Sequence, residues 1–220
     1  MTLNDKKYLI LQYFDEILPN PGCELTYNSD YGFLIAVMLS AQCTDKKVNK
    51  VTDVLFKKYD TLQKLDKAPI EELEEILKPL GLYKAKAKNV KEITNSLLTN
   101  YGGKVPTSKE ELMKLKGVGN KTSNVVRIEL FKLPEFPVDT HVFRTAKRLC
   151  LVNQDDDILE VEQKLKNIFD EELWIKLHHQ FIHFGRYYCK AMKPDCTNCK
   201  LRGICTYNKN SDKWFLITLI

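Results

Sequence analysis

The hydrophobic positions of this chain recur at intervals of three and four residues along almost its whole length. Leu73, Ile76, Leu77 and Leu80 show this spacing. It is the period of an amphipathic helix, whereas the alternation that is typical of strands is scarce. Turn and capping signals between the periodic segments predict about ten short helices, and hence an all-α protein. These signals fall at residues 28–30, 44–45, 69, 81, 102–103, 107–108, 134–137 and 155–157.

Composition indicates a folded protein with a substantial core. Of the 220 residues, 44% are hydrophobic and 29% are charged, which excludes a disordered or fibrous chain. The longest apolar run, residues 33–41, is about half of the length that spans a bilayer, so it predicts a buried helix. Asp15 and Glu16 follow the first apolar stretch, and no small-residue cleavage site is visible there. We therefore expect a cytoplasmic protein with no membrane partner.

Charge and cysteine usage narrow the possible partners. The 34 basic residues exceed the 29 acidic residues by five, a mild bias that permits a polyanionic partner without requiring one. The chain has seven cysteines, an odd number that favours metal binding or free thiols over disulfides in a reducing compartment. Four of them fall within 17 residues, and four thiolates suit either tetrahedral zinc or a 4Fe-4S cluster. They are Cys189, Cys196, Cys199 and Cys205.

A glycine turn at residues 115–122 (LKGVGNKT) precedes a helical pattern that runs to about Leu130. Gly117 and Gly119 permit a tight helix-hairpin-helix turn, and the next helix could bind a phosphate through its N–H groups without reading a base. An ordinary turn between two helices would use the same glycines. Lys121 favours the first interpretation, because a lysine in the first turn opposes the helix dipole. The dipole and partial burial would both favour its neutral amine, the form that acts as a nucleophile.

Asp139 marks a second candidate site, in the segment 137–142 (PVDTHV). An aspartate at this position is expected to be the N-cap of a helix that runs to about Cys150, a role worth ~1 kcal/mol. The same hydrogen bonds keep the carboxylate anionic, so it could also accept a proton or stabilise a cationic transition state. The intervening helix and loop are long enough to return Asp139 beside Lys121.

These motifs resemble, in order and over nearly the whole chain, those of the endonuclease III family in the helix-hairpin-helix DNA glycosylase superfamily. The resemblance implies two helical domains. Residues 24–134 would form the domain with the hairpin, and residues 1–23 with 135–220 would form the iron-sulfur domain, with the active site in a cleft between them. The matching segments are LSAQCTD at 39–45, GLY at 81–83, Lys86-Ala87, the hairpin with Lys121, VDTH at 138–141, Gly185-Arg186 and the four clustered cysteines.

The resemblance implies a bifunctional DNA glycosylase and abasic-site lyase, because members of this family remove oxidised pyrimidines from duplex DNA and nick the abasic site. Motif position makes Lys121 the nucleophile and Asp139 the carboxylate that assists departure of the base. An amine that attacks the sugar C1′ forms a Schiff base, which permits β-elimination of the 3′ phosphate. The implied partner is duplex DNA with oxidised pyrimidines or abasic sites, bound by a monomer.

The resemblance also implies residues that open the duplex, because a stacked base cannot be reached at C1′. Gln42 would fill the space left by the flipped nucleotide, and Leu82 would wedge the stack. Without the resemblance, Gln42 could instead end the preceding helix and Leu82 could anchor a loop in the core. The other expected DNA contacts are Lys84, His141 and the hairpin residues Gly117, Val118 and Gly119.

Several basic residues near these sites have two interpretations. Lys84, Lys88 and Lys91 recur at helical spacing, and this stripe is either a phosphate-binding surface or a solvated face. Arg144 and Arg148 lie one helical turn apart, and either contact phosphate or form structural ion pairs.

The C-terminal region carries the remaining expectations. The cysteine spacing matches the cluster motif of the family, so the resemblance assigns the four thiolates to a 4Fe-4S cluster with a structural and DNA-positioning role. Because four thiolates complete such a site, the histidines at 178, 179 and 183 are expected to pack or form hydrogen bonds. The apolar tail, residues 211–220, is expected to pack back on the protein.

Two other functions are compatible with parts of this pattern. A non-catalytic DNA-binding protein could use the same hairpin and metal site, but it would not need both Lys121 and Asp139. A monofunctional glycosylase would hydrolyse the glycosidic bond without cutting the strand, and Lys121 argues against it.

Overall fold

The computed structural model describes residues 1–207, and over that range the chain forms helices and connecting loops without a β-strand. The all-α prediction is therefore confirmed. The predicted packing of the tail at 211–220 concerns residues outside the described range. The α-helices are α1 (Leu3–Ile17), α2 (Asp30–Leu39), α3 (Asp45–Lys58), α4 (Leu62–Lys67), α5 (Ile70–Leu77), α6 (Tyr83–Asn100), α7 (Lys109–Lys114), α8 (Asn120–Leu130), α9 (Thr140–Arg148), α10 (Ile158–Ile168) and α11 (Trp174–His183).

Several helices begin at a polar residue whose side chain accepts a hydrogen bond from the first turn. Ser29 caps α2 in this way, Ser108 caps α7, and Asp157 forms a capping box at the start of α10. Each cap satisfies a backbone N–H group that has no partner within the helix. The turn signals predicted at 28–30, 107–108 and 155–157 therefore mark true helix starts.

Helix α2 ends at Leu39, two residues before the end of the apolar run. Ser40 ends it, because its hydroxyl donates to the Val37 carbonyl at 2.8 Å and its own carbonyl accepts from Cys43 N at 3.0 Å. Residues 40–43 consequently form a turn. The run does form the buried helix that was expected. No described helix is long and apolar enough to cross a membrane.

The chain divides into two compact units, and the first, which we call the hairpin unit, is Cys23–Leu133. Its core is mainly aliphatic. Helix α2 lies at its centre and packs against α3, α6 and α8, while α6 also packs against α4 and α5. The largest fully buried side chains of this unit are Phe33, Leu34, Ile35, Leu39, Leu55, Leu65 and Leu73.

The second unit, which we call the cysteine unit, is Met1–Gly22 together with the chain from Pro134 onward. Its core is aromatic, and the Phe14 ring lies 5.0 Å from the rings of both Phe181 and Phe184. Phe184 begins a π-helical segment that continues α11 to Tyr188. This segment and α11 both pack against α9, the helix that begins after Asp139.

Candidate active site and DNA-contacting loops

The hairpin between α7 and α8 depends on a glycine at position 117. Its φ of +77° lies in the left-handed region, and a Cβ atom there would come within 2.5 Å of Asn89 Nδ2. The Val118 N–H group closes the turn by donating to the Leu115 carbonyl at 3.1 Å. Gly119 differs, because its φ is −100° and a Cβ atom there would meet nothing within 4 Å. The fold therefore requires the first hairpin glycine but not the second.

Lys121 lies in the first turn of α8, directly after the hairpin. The N-cap of this helix is Gly119, which has no side chain to cap it, and the first turn contains no acidic residue. The positive end of the helix dipole lies at this turn. Lys121 is exposed, so in this structure the helix dipole acts on it without the partial burial considered above. Ser123 and Asn124 are the residues of this helix start that turn into the core.

Gln42 and Leu82 occupy two loops with the same unusual backbone. Their φ values are +58° and +49°, in the left-handed region that non-glycine residues enter at a cost of roughly 1–2 kcal/mol. The Leu82 side chain is 65% exposed, so it is no core anchor. Gln42 is exposed on the turn after α2 and therefore does not end that helix. Both structural alternatives are wrong, and two strained loops present their side chains to solvent.

The three lysines of the predicted stripe have different surroundings. Lys91 donates to the backbone carbonyls of Asp66 and Ala68, at the C-terminal end of α4, where a cation stabilises the helix dipole. Its role is therefore structural. Lys84 is exposed, and Lys88 lies 3.8 Å from Glu92 in an exposed ion pair.

In the cysteine unit, Asp139 is the N-cap of α9, as predicted. Its Oδ1 atom accepts hydrogen bonds from the N–H groups of His141 and Val142, both at 2.8 Å. The backbone just before it is fixed by buried His178, whose Nδ1 lies 2.8 Å from the Pro137 carbonyl oxygen. The carboxylate thus has a defined position at the start of a helix.

His141 and Arg144 connect α9 to the segment before the first cysteine. Burial lowers the pKa of the His141 imidazole, the Asp139 carboxylate opposes this, and the Arg144 guanidinium adds to it. Arg144 Nη2 donates to the Gly185 carbonyl at 2.8 Å and to the Cys189 carbonyl at 3.1 Å. A Cβ atom on Gly185 would come within 2.8 Å of His141 Cβ. The close approach of this segment to α9 therefore requires glycine at 185.

The four clustered cysteines line a single pocket with an empty volume of about 400 Å³. Within residues 1–207, no group of three or more potential ligands already stands at the spacing of a single metal ion. Burial, against an opposing hydrogen bond from the Leu201 backbone and with the help of the neighbouring cysteines, raises the pKa of the Cys199 thiol to about 11. Thiolates packed this closely need a cationic group between them, so the donor set fits a metal or a cluster.

Arg148 contacts residues 189–191, at the start of the segment with the clustered cysteines. Its role in this structure is therefore a structural one. Its Nη1 donates to Cys189 Sγ at 3.3 Å and to the Lys190 carbonyl at 2.8 Å, and its Nη2 donates to the Ala191 carbonyl at 3.0 Å. The Tyr207 ring covers the guanidinium at 4.0 Å. Arg144 and Arg148 therefore both bond to carbonyl groups around the first cysteine.

The histidines of α11 have the packing and hydrogen-bonding roles that were expected. His178 holds the Pro137 carbonyl, and His183 Nε2 lies 2.9 Å from the Gly22 carbonyl oxygen. His179 is buried, and its ring lies 5.0 Å from that of His178.

Comparisons with known proteins give a consistent result. The family model for "HhH-GPD superfamily base excision DNA repair protein" matches residues 35–171. Endonuclease III of Bacillus subtilis is 42% identical over 207 residues, which are 94% of each chain. A solved structure of a trapped covalent intermediate of endonuclease III and DNA, an estranged-adenine complex, has a TM-score of 0.91 and 44% identity, covering 96% of this chain and 99% of that one. A non-covalent endonuclease III–DNA complex has a TM-score of 0.92 and 44% identity, covering 97% and 99%.

Proposed function

The chain belongs to the endonuclease III family of the HhH-GPD superfamily of base excision DNA repair proteins, and from this premise we propose that it is a bifunctional DNA glycosylase and abasic-site lyase. It removes oxidised pyrimidines from duplex DNA and cuts the strand 3′ to the abasic site. It acts in the cytoplasm, on chromosomal DNA. One observation carries the proposal. Lys121 is an exposed lysine in the first turn of α8, directly after a glycine hairpin of the kind that binds phosphate.

The two reactive residues have complementary roles. The neutral amine of Lys121 attacks C1′ of the damaged nucleotide, the glycosidic bond breaks, and its electron pair leaves with the base. The Asp139 carboxylate stabilises the positive charge that develops on the sugar and accepts the proton that the amine gives up. The nitrogen lone pair then forms a double bond to C1′ as the C1′–O4′ bond of the sugar ring breaks. Its electron pair stays on O4′, which takes the proton back from Asp139, and the product is a protonated Schiff base between Lys121 and the sugar.

Strand cleavage follows from the same intermediate. The iminium withdraws electrons and acidifies the C2′ hydrogen, so a base can remove this proton. The electron pair of that C–H bond forms the new double bond, and the 3′ phosphate leaves with the electrons of its C–O bond. Hydrolysis of the Schiff base then restores the Lys121 amine. No water molecule acts as a nucleophile on the phosphate in this sequence.

The loops of the hairpin unit supply the DNA contacts in this proposal. Backbone groups at Gly117, Val118 and Gly119 bind a phosphate, because N–H groups and a positive dipole end favour an anion there. Gln42 enters the space left by the flipped nucleotide, and Leu82 wedges the neighbouring stack. Lys84 and His141 add contacts to the DNA backbone.

The four cysteines hold a 4Fe-4S cluster in this proposal. They fit it because all four line one pocket and all four are free thiols. When bound, such a cluster supplies a rigid cross-link of the loop and positive charge to neutralise four thiolates. Metal analysis of aerobically and anaerobically purified protein tests this assignment: about four irons with acid-labile sulfide per chain support it. One zinc per chain without sulfide would contradict it.

The reaction is tested by borohydride trapping on duplex DNA with a single abasic site. We expect a covalent protein–DNA band from the wild type and none from Lys121→Gln. Lys132→Gln is the matched control, because Lys132 is an exposed lysine just beyond the other end of α8. It should trap as the wild type does.

The rival functions give different results in the same experiment. A wild type that releases an oxidised pyrimidine but forms no band would be a monofunctional, hydrolytic glycosylase. A wild type that binds the duplex but neither releases a base nor forms a band would be a non-catalytic DNA-binding protein.

A further inference from the structure

Lys86, on α6, has a buried ammonium group with an unusual set of partners. The residue is only 4% exposed. Its Nζ atom donates to the Ala41 carbonyl at 3.1 Å, to the Leu80 carbonyl at 3.3 Å and to Cys43 Sγ at 3.3 Å. The three bonds use all the donors of an ammonium group.

These partners are uncharged, and no carboxylate forms an ion pair with Lys86 in the part of the chain that the structure describes. Burial of a charge is unfavourable unless an opposite charge or very good hydrogen bonds compensate for it. An apolar side chain of the same length would avoid burying a charge, but it would remove the lysine donor from the Ala41 and Leu80 carbonyls. These two effects on stability oppose each other, and the position of the partners points to a further reason for a lysine here.

The partners of Lys86 lie in or directly beside the two strained loops. Ala41 and Cys43 flank Gln42 on the turn after α2, and Leu80 lies two residues before Leu82. The Cys43 thiol adds a direct link between the loops, because it donates to the Leu80 carbonyl at 2.8 Å. The four polar groups thus form one cluster that joins the loop of Gln42 to the loop of Leu82.

We propose that Lys86 is a positioning residue that fixes the Gln42 and Leu82 loops as one rigid element for insertion into the DNA duplex. The proposal rests on the proposed function, in which both side chains enter the base stack. Without the ammonium, each loop could relax from its left-handed conformation to a more common one. The two side chains would then have to be ordered during insertion, which slows every step that needs an opened duplex.

The variant that tests this role is Lys86→Met, which keeps the length of the side chain and removes its charge and donors. Lys57→Met is the matched control, since Lys57 is an exposed lysine of the same unit that forms an exposed ion pair with Asp53. Both are compared with the wild type by borohydride trapping on duplex DNA with one abasic site, and on the same strand without its complement. A 2-aminopurine opposite the abasic site reports opening of the stack.

We expect Lys86→Met to trap on the duplex about 10- to 100-fold more slowly, and to trap on the single strand within about twofold of the wild type. The 2-aminopurine signal should fall with the duplex rate, while the midpoint of thermal unfolding should change little, because relief of the buried charge offsets the lost hydrogen bonds. A duplex rate within about twofold of the wild type would overturn the proposal. An equal loss on both substrates would also overturn it, because that pattern indicates damage to the whole site.

Two substitutions at Cys43 test the same cluster if Lys86→Met does not fold. Cys43→Ser keeps a donor to the Leu80 carbonyl, and Cys43→Ala removes it. Cys43→Ala should lose more duplex trapping than Cys43→Ser, with no difference on the single strand; equal duplex rates would contradict the proposal. A wild type that forms no covalent band on either substrate would contradict the proposed function instead, so the two failures are distinguishable.

Discussion

The two units hold their functional groups in different ways. In the hairpin unit, the conformation of the backbone shapes the loops, with positive φ at Gly117, Gln42 and Leu82. In the cysteine unit, side chains reach across to backbone groups: Asp139 caps α9, and Arg144 joins that helix to the Cys189 carbonyl. Gly117, which has a positive φ and lies close to Asn89, does not tolerate an added Cβ atom. A segment tied by side chains depends on each of those side chains.

The largest expected effect on the reaction rate comes from Asp139 in the cysteine unit, where side chains hold the functional groups. In Asp139→Asn, the amide oxygen still caps α9, because asparagine is as good an N-cap as aspartate. The variant loses the carboxylate that accepts the proton, so single-turnover base release should fall roughly 10²- to 10⁴-fold while the unfolding free energy hardly changes. Asp157→Asn makes the same exchange at the N-cap of α10 and should leave the rate unchanged. An active Asp139→Asn enzyme would show that the residue only caps the helix.

The hairpin unit should show the opposite pattern, a backbone requirement with a stability cost. Gly117→Ala places a Cβ atom 2.5 Å from Asn89 at a positive φ, so we expect a loss of about 1–3 kcal/mol of unfolding free energy. Gly119→Ala has open space and a negative φ, and should cost less than about 1 kcal/mol. Urea unfolding of both variants measures this difference. Equal losses would contradict a specific requirement for glycine at position 117.

Gly185 tests the comparison from the other side, because it is a backbone requirement within the cysteine unit. Gly185→Ala brings a Cβ atom within 2.8 Å of His141 Cβ and within 3.2 Å of the Arg144 guanidinium, so it should cost about 1–3 kcal/mol. It should also slow base release, because it pushes on the helix that follows Asp139. Gly203→Ala, in the same unit, meets nothing within 4 Å and should be neutral in both assays. If Gly185→Ala is neutral as well, backbone approach has no importance in this unit.

The smallest expected effect is a pH dependence of stability at His141. Burial lowers the pKa of this imidazole in the folded state, so its contribution to stability is present above the unfolded pKa of about 6.5 and is lost as the pH falls through the folded value. Because the ring is only half-buried and partly screened by water, the change should stay below about 1 kcal/mol. Urea unfolding between pH 8 and about pH 5 should therefore show a smaller decrease for His141→Asn than for the wild type. Parallel curves would contradict this sign.

The sequence predicted the features of this site that depend on local interactions. The hairpin helix ends at Leu130 as expected, and Asp139 caps α9, because caps and helix starts are set within a few residues. The roles of Lys91 and Arg148 could not be decided, since their partners lie more than 20 residues away along the chain. Lys86 belonged to a matching motif, but nothing in its spacing indicates that it joins two loops.

The exposure of Lys121 could not be predicted from the sequence either. Its position in the first turn of α8 follows from the glycine hairpin, but which side of that turn faces the core depends on how α8 packs on α2. The helical period alone does not fix that rotation when the first turn holds only polar residues. The end of α2 at Leu39 is a similar case, because an apolar run does not show where a serine hydroxyl will bond.

The left-handed backbone at Gln42 and Leu82 has a consequence for how these positions can vary. A residue with a branched β-carbon, such as valine, isoleucine or threonine, is strongly disfavoured at positive φ, whereas asparagine and glycine are tolerated there. A library randomised at 42 and 82 and selected for folding alone should therefore be enriched in asparagine and glycine. Selection for repair should instead recover side chains that are long enough to enter a base stack. Folding and function thus favour different residue types at the same two positions.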